Sequence, residues 1–147
     1  MVDSAAKGLG FEIRFHTVGP SQSIDTLFEE IIAGRAQALS AGGGRVYEAR
    51  QRIAELALQH RLASAFISRP SVEAGGLLSY SPAASEEALT ANRMADYVDR
   101  ILRGAKPADL PVELPSRYEL VLNLTTAKVL GLTVPPSLLA RADAIIQ

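Results

Sequence analysis

Residues 45–67 read RVYEARQRIAELALQHRLASAFI, and the change of pattern within this stretch decides the fold class. Residues 45–61 mix charged and apolar side chains at a period near 3.6, which predicts an amphipathic helix. The apolar positions of this helix are Val46, Ile53, Leu56 and Ala57. Residues 62–67 form a short apolar run after the charged end of the helix, and they predict a buried strand.

Further strand and helix patterns surround this unit on both sides. The other strand candidates are residues 11–18, 36–40, 76–80 and 118–123. The other helical patterns are residues 23–34, 85–104, 125–132 and 135–147, with Ser23 as an expected N-cap and Gly34 as an expected end. Strands that alternate with helices are typical of βαβ units. The sequence therefore predicts an α/β fold of three layers, with a mostly parallel sheet flanked by helices.

Residues 105–115, AKPADLPVELP, interrupt this alternation because they contain three prolines. Proline lacks a backbone donor and has a fixed φ, so helix interiors and central strands tolerate it poorly. We therefore predict that these residues form an extended segment that links distant parts of the fold, and we call it the crossing segment.

The composition limits the possible functions. The chain has 147 residues, 48% of them hydrophobic and 21% charged, which is typical of one globular domain. The formal net charge of -1 disfavours nucleic acid as a partner, and the absence of Cys excludes disulfides, thiolate zinc sites and cysteine nucleophiles. The sequence shows no secretory signal pattern and no membrane-spanning run, so the chain as written is predicted to be cytoplasmic.

Motifs for catalysis are absent from the sequence, which has no HExxH, no GxSxG and no carboxylate pair with an obvious partner. The loop of Gly42, Gly43 and Gly44 follows a predicted strand and precedes a helix, where backbone N–H groups hold anions in phosphate-binding proteins. It lacks the Lys-Ser/Thr of a P-loop, and a loop that only turns the chain is an equally good interpretation. We predict a protein that is not an enzyme, with no catalytic residue, no metal and no cofactor.

Several segments of the second half carry a resemblance to a known family. They are VEAGGLLSYSP at residues 72–82, GAKPADLP at 104–111, LNLTTAKVLGL at 122–132 and PPSLLARAD at 135–143. These segments closely resemble the C-terminal half of ABC-transporter substrate-binding proteins of the tryptophan/tyrosine-binding type. The resemblance covers nearly the whole chain, but it is densest after residue 50 and thinner over residues 1–45.

The resemblance implies a type 1 periplasmic binding fold, in which two α/β lobes close on a small solute. Residues 1–147 would form a single Rossmann-like lobe, the C-terminal half of such a protein, whose relatives also have a first lobe and a signal peptide. Residues 82–117 would be a helix plus the crossing segment, which in relatives packs on the first lobe. The resemblance also implies an ABC permease as partner and a periplasmic location.

The resemblance also implies a ligand site at the carboxyl ends of the parallel strands, where ligands bind in open α/β sheets. Arg69 is the first candidate because a guanidinium binds a carboxylate through two hydrogen bonds, although structural salt bridges of arginine are at least as common. Tyr47 and Tyr80 offer rings for a planar solute, although tyrosines are more often buried in cores. The other candidate ligand-binding residues are Gly43, Gly44, Arg45, Ser79 and Ser81.

Three functions follow from these observations. The leading one is a non-catalytic solute-binding component, or a truncated lobe of one, for ABC-type import of a small amino-acid-like or aromatic compound. The second is a vestigial or structural module that dimerises and binds no small ligand. The third is an α/β enzyme that binds phosphate or nucleotide through the loop of residues 42–44.

The predicted helix over residues 86–103 has an apolar stripe that nothing in the chain obviously covers. Its members are Ala88, Ala91, Ala95, Val98, Ile101 and Leu102. Because apolar surface in water is costly, we predict a homodimer with this helix in the interface. In the sharper form of this prediction, two chains exchange everything after Ser81 by means of the crossing segment.

Overall fold

The computed structural model describes residues 2–19 and 21–147, and it describes their side chains outside residues 2–4 and 84–89. The described chain forms two compact units, Met1–Ala36 and Gln37–Gln147. The second unit contains the β-sheet and all the predicted site residues.

The first unit contains two helices, α1 (Val2–Gly8) and α2 (Ile24–Ala33). The predicted N-cap of α2 is confirmed, because the Ser23 Oγ accepts a hydrogen bond from the Thr26 backbone N–H at 3.0 Å. This bond satisfies one of the donors that the start of a helix leaves unpaired. Gly34 ends α2 as predicted, and the buried residues of α2 are Leu27, Phe28 and Ile31.

The predicted strand over residues 11–18 is wrong, since the structure places these residues in no helix or strand. The alternating side chains Phe11 and Phe15 are 64% and 74% exposed. A strand needs a neighbour that pairs with its N–H and C=O groups, and within the described residues no strand pairs with this segment. The apolar/polar alternation of residues 11–18 is typical of a strand, but it does not indicate whether a neighbouring strand is present to pair with them.

The second unit is built on a five-stranded sheet in the order β1-β2-β3-β4-β5. Its strands are β1 (Ala38–Ala41), β2 (Ala63–Phe66), β3 (Leu78–Pro82), β4 (Tyr118–Asn123) and β5 (Ala144–Ile146). The β1–β2, β2–β3 and β4–β5 pairs are parallel, and the β3–β4 pair is antiparallel. The strands predicted at 36–40, 62–67, 76–80 and 118–123 and the mostly parallel sheet are therefore confirmed.

Helices connect these strands as the βαβ pattern predicts. They are α3 (Gly44–Glu48), α4 (Arg50–Gln59), α5 (Arg69–Glu73), α6 (Ala84–Leu102), α7 (Leu124–Leu130) and α8 (Pro136–Leu139). A short 3-10 helix, Pro107–Asp109, lies in the crossing segment. The single helix predicted over 45–61 is instead two helices, α3 and α4, which are separated at Ala49.

The terminal helix predicted over residues 135–147 is also wrong, because α8 stops at Leu139 and residues 144–146 form β5. Asp143 redirects the chain. Its backbone N–H donates to the Leu120 carbonyl, and its side-chain Oδ2 accepts from the Leu120 N–H, both at 2.9 Å. These two bonds bring the following residues alongside β4, where backbone pairing outweighs their local preference for helix.

Asn123 ends β4 and joins it to two helices. Its Oδ1 accepts the Thr126 N–H at 2.9 Å and so caps α7, while its Nδ2 donates to the Val72 carbonyl of α5 at 3.2 Å. The Thr126 Oγ1 donates in turn to the Gly75 carbonyl at 2.9 Å. Asn123 is 6% exposed, so these bonds replace hydrogen bonds to water that the buried amide cannot make. They fix α5, α7 and the end of β4 on one another.

The two faces of the sheet differ in how much of their surface other elements pack against. One face, which we call the helix face, packs against α4 and α5 and buries Phe66, Ser79 and Val121. The alternate strand positions form the second face, which we call the open face. Near the start of β3, the segment around Leu132 and Leu138 lies against this second face. Elsewhere its exposed residues within this unit are Ala38, Ser40, Tyr80, Tyr118 and Ile145.

The helix α6 and the crossing segment are tied to each other and to the sheet. The Tyr97 hydroxyl donates to the Pro111 carbonyl at 2.7 Å, and Arg93 pairs with Glu113 at 2.9 Å. Desolvation, followed by the hydrogen bond to Glu113, raises the pKa of Tyr97. Where the chain leaves and re-enters the sheet, the Ala83 N–H donates to the Arg117 carbonyl at 3.1 Å. Among the described side chains of α6, the exposed large apolar ones are Met94, Val98, Ile101 and Leu102.

Gly76 lies between Phe66 of β2 and Ser71 of α5. A Cβ atom at this position would lie 2.5 Å from the Phe66 ring and 2.8 Å from the Ser71 carbonyl oxygen. Phe66 is 4% exposed and Ser71 is 2% exposed, so neither has free space into which it can move. The neighbouring Gly75 has a φ of 111°, which L-residues rarely adopt. The glycine pair is therefore required by packing and by backbone conformation.

We expect Gly76→Ala to lower the free energy of unfolding by about 1–3 kcal/mol, because the added methyl group overpacks a closed part of the core. Gly44→Ala is the matched control, because a Cβ there meets no atom within 4 Å. Its effect should stay within about 0.5 kcal/mol. Urea unfolding followed by circular dichroism measures both variants. Equal stability of the two would contradict the packing role of Gly76.

Candidate functional site

The carboxyl ends of β1, β2 and β3 meet at one edge of the sheet, which we call the carboxyl edge. The antiparallel strand β4 begins at the same edge, since Tyr118 pairs with Pro82 at the end of β3. Four chain segments therefore converge here: the glycine loop after β1, the start of α5, the end of β3 and the start of β4. All the predicted site residues lie in these segments or directly beside them, and Ser79 pairs with Phe66, the last residue of β2.

The glycine loop lies at the end of β1. Gly42 lies against Ile67, the residue after β2, because a Cβ at Gly42 would come within 3.0 Å of the Ile67 side chain. Gly43 has a φ of 107°, and a Cβ at Gly43 or Gly44 would meet no atom within 4 Å. The predicted glycines thus expose their backbone at the edge. They lead into α3, whose five residues give only a weak helix dipole.

The two side chains predicted beside this loop are exposed. Arg45 lies within α3, and Tyr47 is 46% exposed. The guanidinium of Arg50 lies 4.7 Å from the centre of the Tyr47 ring, which is the geometry of a cation–π contact. One face of the Tyr47 ring is therefore already in contact with a cation.

Arg69 begins α5 and lies between two carboxylates. Its Nε donates to the Glu73 Oε1 at 2.9 Å, and its Nη1 donates to the Glu119 Oε1 at 3.1 Å. The hydrogen bond to Glu73, followed by the charge of Glu119, raises the pKa of Arg69. The formal charges of Arg69, Glu73 and Glu119 sum to -1. The structural salt bridge considered for Arg69 is thus present, and it links α5 to β4.

The two predicted serines point toward the helix face. Ser79 is fully buried, and its Oγ has no hydrogen-bond partner among the residues that the structure describes. Ser81 is 8% exposed and lies opposite Glu119 in the β3–β4 pair. A solute at the carboxyl edge would reach the Ser79 hydroxyl only after α5 moved away from β3.

Tyr80 lies on the opposite side of β3, on the open face, and is 59% exposed. Its ring stacks on the ring of Tyr118, with centroids 5.3 Å apart and planes inclined by 18°. Sequence reasoning missed both Tyr118 and Glu119, since β4 was predicted without a direction relative to β3. The antiparallel register is what brings the start of β4 to the carboxyl edge.

Two pockets lie in the second unit. One of about 180 Å³ lies at the opposite end of β3, and all but two of its lining residues, Asn123 and Thr133, have apolar side chains. A shallower one of about 420 Å³ lies at the carboxyl edge and is lined by Pro82, Thr90, Ala91, Met94 and Pro115. Among the residues whose side chains the structure describes, no charged residue lines either pocket.

Within residues 2–19 and 21–147, no group of three or more His, Asp or Glu side chains is placed to hold a metal ion. No helix in the same ranges has the length and apolar character needed to cross a lipid bilayer.

The chain was compared with known proteins and structures. The sequence model of the ABC transporter substrate binding protein family matches residues 45–146. A conserved domain protein from Vibrio cholerae O1 biovar El Tor is 26% identical with a TM-score of 0.82, over 98% of this chain and 48% of that one. No curated protein matches the chain.

Two further solved structures have the same fold. The ABC domain from Streptococcus pneumonia in complex with L-Trp is 23% identical with a TM-score of 0.80, over 98% of this chain and 49% of that one. A ligand-free, open substrate-binding protein with adhesive properties from Clostridium difficile is 17% identical with a TM-score of 0.66, over 99% and 48%. The predicted family resemblance and the α/β lobe fold are confirmed. The chain spans about half the length of the solved structures it matches.

Burial of the unpaired Ser79 hydroxyl leads to a stability prediction. An unpaired buried hydroxyl costs about 1–3 kcal/mol, so Ser79→Ala should leave the free energy of unfolding unchanged or raise it by up to about 1 kcal/mol. Ser64→Ala is the matched control, because the Ser64 Oγ accepts the Leu77 N–H at 3.1 Å and Ser64 is 3% exposed. We expect this control to lose about 1–2 kcal/mol in chemical denaturation. A comparable loss in Ser79→Ala would show that its hydroxyl has a partner.

Proposed function

Because the chain belongs to the ABC transporter substrate-binding protein family, we propose that it is the second lobe of a solute-binding component that serves ABC-type import. The observation that carries this proposal is the convergence of the glycine loop, the start of α5 and the end of β3 at the carboxyl edge. Ligands of open α/β sheets bind at this kind of edge. The partner of the complete protein is an ABC permease, and its compartment lies outside the cytoplasmic membrane.

Three observations support the proposal that residues 1–147 are one lobe of a larger protein. The chain spans about half of the solved structures that it matches. Residues 11–18 have the pattern of a strand but no pairing partner in the described chain. The helix α6 exposes Met94, Val98 and Leu102, which is unusual for an apolar stripe in a completed fold. We propose that residues 82–117, which contain α6 and the crossing segment, pack on the first lobe.

We propose a small amino-acid-like or aromatic compound as the solute. The Streptococcus pneumonia structure with the same fold contains L-Trp. The carboxyl edge of this chain offers exposed backbone at Gly43 and Gly44 and a guanidinium at Arg69, with the aromatic ring of Tyr80 on the other face of the sheet. Arg45, Tyr47, Ser79 and Ser81 complete the set of residues that we assign to this site or its wall.

We propose that this lobe binds without catalysing a reaction. General acid–base catalysis needs a titratable group positioned at a reacting atom. At the carboxyl edge, Glu73 and Glu119 both accept hydrogen bonds from Arg69, which is an arrangement typical of structural ion pairs. Such a site binds the solute without changing it, and the binding free energy drives closure of the lobes.

Arg69 provides a direct test of the solute class. Two of its five N–H groups donate to Glu73 and Glu119, and its side chain is 47% exposed, so the other donors are available to a solute carboxylate. We expect Arg69→Ala to weaken L-tryptophan binding by roughly 10-fold or more in isothermal titration calorimetry. Tryptamine, which lacks the carboxylate, should lose less than about twofold.

Arg103→Ala is the matched control for this experiment. Arg103 also donates to a carboxylate four residues away on its own helix, Asp99, at 2.9 Å, but it lies at the end of α6. Its removal should leave L-tryptophan binding unchanged. Equal losses for L-tryptophan and tryptamine in Arg69→Ala would contradict the carboxylate role. No binding of any amino acid or aromatic acid by the unaltered chain would contradict the proposed function.

The exposed apolar side of α6 provides a test of the one-lobe proposal. If the first lobe covers this side in the complete protein, the 147-residue chain should be a monomer that binds the apolar dye ANS. Replacing Val98 and Ile101 with Asp should reduce the ANS signal with little loss of stability, because these residues are 56% and 40% exposed. Ile53→Asp, at a residue that is 3% exposed, is the contrasting variant and should unfold the chain.

Size-exclusion chromatography with light scattering distinguishes the two ways of covering α6. A monomer at tens of micromolar concentration agrees with cover by a first lobe. A stable dimer that the Val98 and Ile101 substitutions disrupt would contradict it, and would favour the homodimer that the sequence also predicts.

A further inference from the structure

The guanidinium of Arg69 is held at two of its three nitrogens. Its Nε donates to the Glu73 Oε1 at 2.9 Å, and its Nη1 donates to the Glu119 Oε1 at 3.1 Å. Two hydrogen bonds on different nitrogens of a planar group fix the direction of the group and limit its rotation. Among the residues that the structure describes, none accepts a hydrogen bond from Nη2, so both of its N–H donors are available to a solute.

The two carboxylates differ in how firmly they hold this guanidinium. Glu73 lies four residues after Arg69 on the same helix and its side chain is 52% exposed. Exposed ion pairs of this kind hold two long side chains only weakly. Glu119 lies fifty residues later on β4, where its backbone pairs with Ser81, and its side chain is only 20% exposed. Glu119 is therefore the more rigid of the two partners.

A held arginine binds a solute carboxylate at a lower entropic cost than a mobile one. The arginine side chain has several rotatable bonds, and a solute that immobilises it must offset the lost conformational freedom. The charge of Glu119 acts in the opposite direction, because it repels a solute carboxylate. Glu119 therefore has two separable effects on binding, one from its hydrogen bond and one from its charge.

We propose that Glu119 is a positioning residue of the solute site: it holds the Arg69 guanidinium so that Nη2 is presented to the carboxylate of the solute. This inference rests on the proposed function, and it assigns a role to a residue that follows the crossing segment. Glu119 acts through Arg69 and does not itself contact the solute.

Two variants of Glu119 separate its hydrogen bond from its charge. Glu119→Gln removes the charge but keeps a side-chain carbonyl that accepts from Arg69, whereas Glu119→Ala removes both. Because both variants lose the same charge, the difference between them reports the hydrogen bond alone. In isothermal titration calorimetry, we expect Glu119→Ala to bind L-tryptophan roughly 3- to 10-fold more weakly than Glu119→Gln. Tryptamine, which lacks the carboxylate, should bind the two variants equally within about twofold.

A second comparison shows whether Glu119 acts through Arg69. In chains that also carry Arg69→Ala, the alanine and glutamine variants of Glu119 should bind L-tryptophan equally within about twofold, because the group to be positioned is absent. Asp99→Ala is the control for loss of a carboxylate that pairs with an arginine. Asp99 accepts from Arg103 at 2.9 Å near the end of α6, and its removal should leave L-tryptophan binding unchanged.

Each outcome has a defined meaning. A difference between the two Glu119 variants that is confined to L-tryptophan and disappears without Arg69 supports the positioning role. Equal L-tryptophan affinities, or a difference that tryptamine shares or that persists without Arg69, overturn this role and leave the proposed function intact. If the unaltered chain binds neither compound, the proposed function fails and the positioning role fails with it. Thermal unfolding of each variant checks that the fold is kept.

Discussion

The buried amide of Asn123 holds together the part of the fold on which the rest of the second unit depends. Three polar groups of Asn123 connect β4 with its neighbours: the backbone N–H donates to the Leu77 carbonyl at 2.9 Å, the side-chain Nδ2 donates to α5 and the side-chain Oδ1 caps α7. Thr126 extends the connection to the turn at Gly75. Because α5 carries Arg69 and leads into β3, these buried bonds set the positions of both sides of the carboxyl edge. A partly satisfied network at this depth would be less stable than an apolar core.

Much of the fold could be predicted from local pattern. The alternation of amphipathic helix and short apolar strand between residues 36 and 80 was sufficient, because each such unit buries its own apolar face against the next. Two of the errors have a common physical cause. Residues 11–18 and 144–146 show patterns that local sequence cannot resolve, since pairing with a distant strand, or the lack of it, decides their structure. Helix propensity and apolar alternation predict the structure of a segment poorly when its backbone pairing depends on residues elsewhere in the chain.

The candidate site was less predictable than the fold for the same reason. Arg69 was identified as a cation at a strand end, but its partner Glu119 lies fifty residues later and follows the proline-rich segment. The register of β3 against β4 also decides which residues share a face, so it separates Ser79 and Ser81 from Tyr80 and adds Tyr118 to the site. Neither the direction of β4 nor its register is encoded in any short stretch. Residue types can therefore be read from sequence, while their grouping into a site needs the topology.

The antiparallel contact at the end of the sheet has a mechanical consequence. The chain leaves through Pro82 and Ala83 and returns through Arg117 and Tyr118, and the Ala83–Arg117 hydrogen bond keeps the two strands side by side. Two unpaired chain segments could rotate independently. A hydrogen-bonded pair of strands resists sliding of one strand along the other. The two ends of the excursion that contains α6 and the crossing segment are therefore coupled, so a displacement of one strand end is shared by the other.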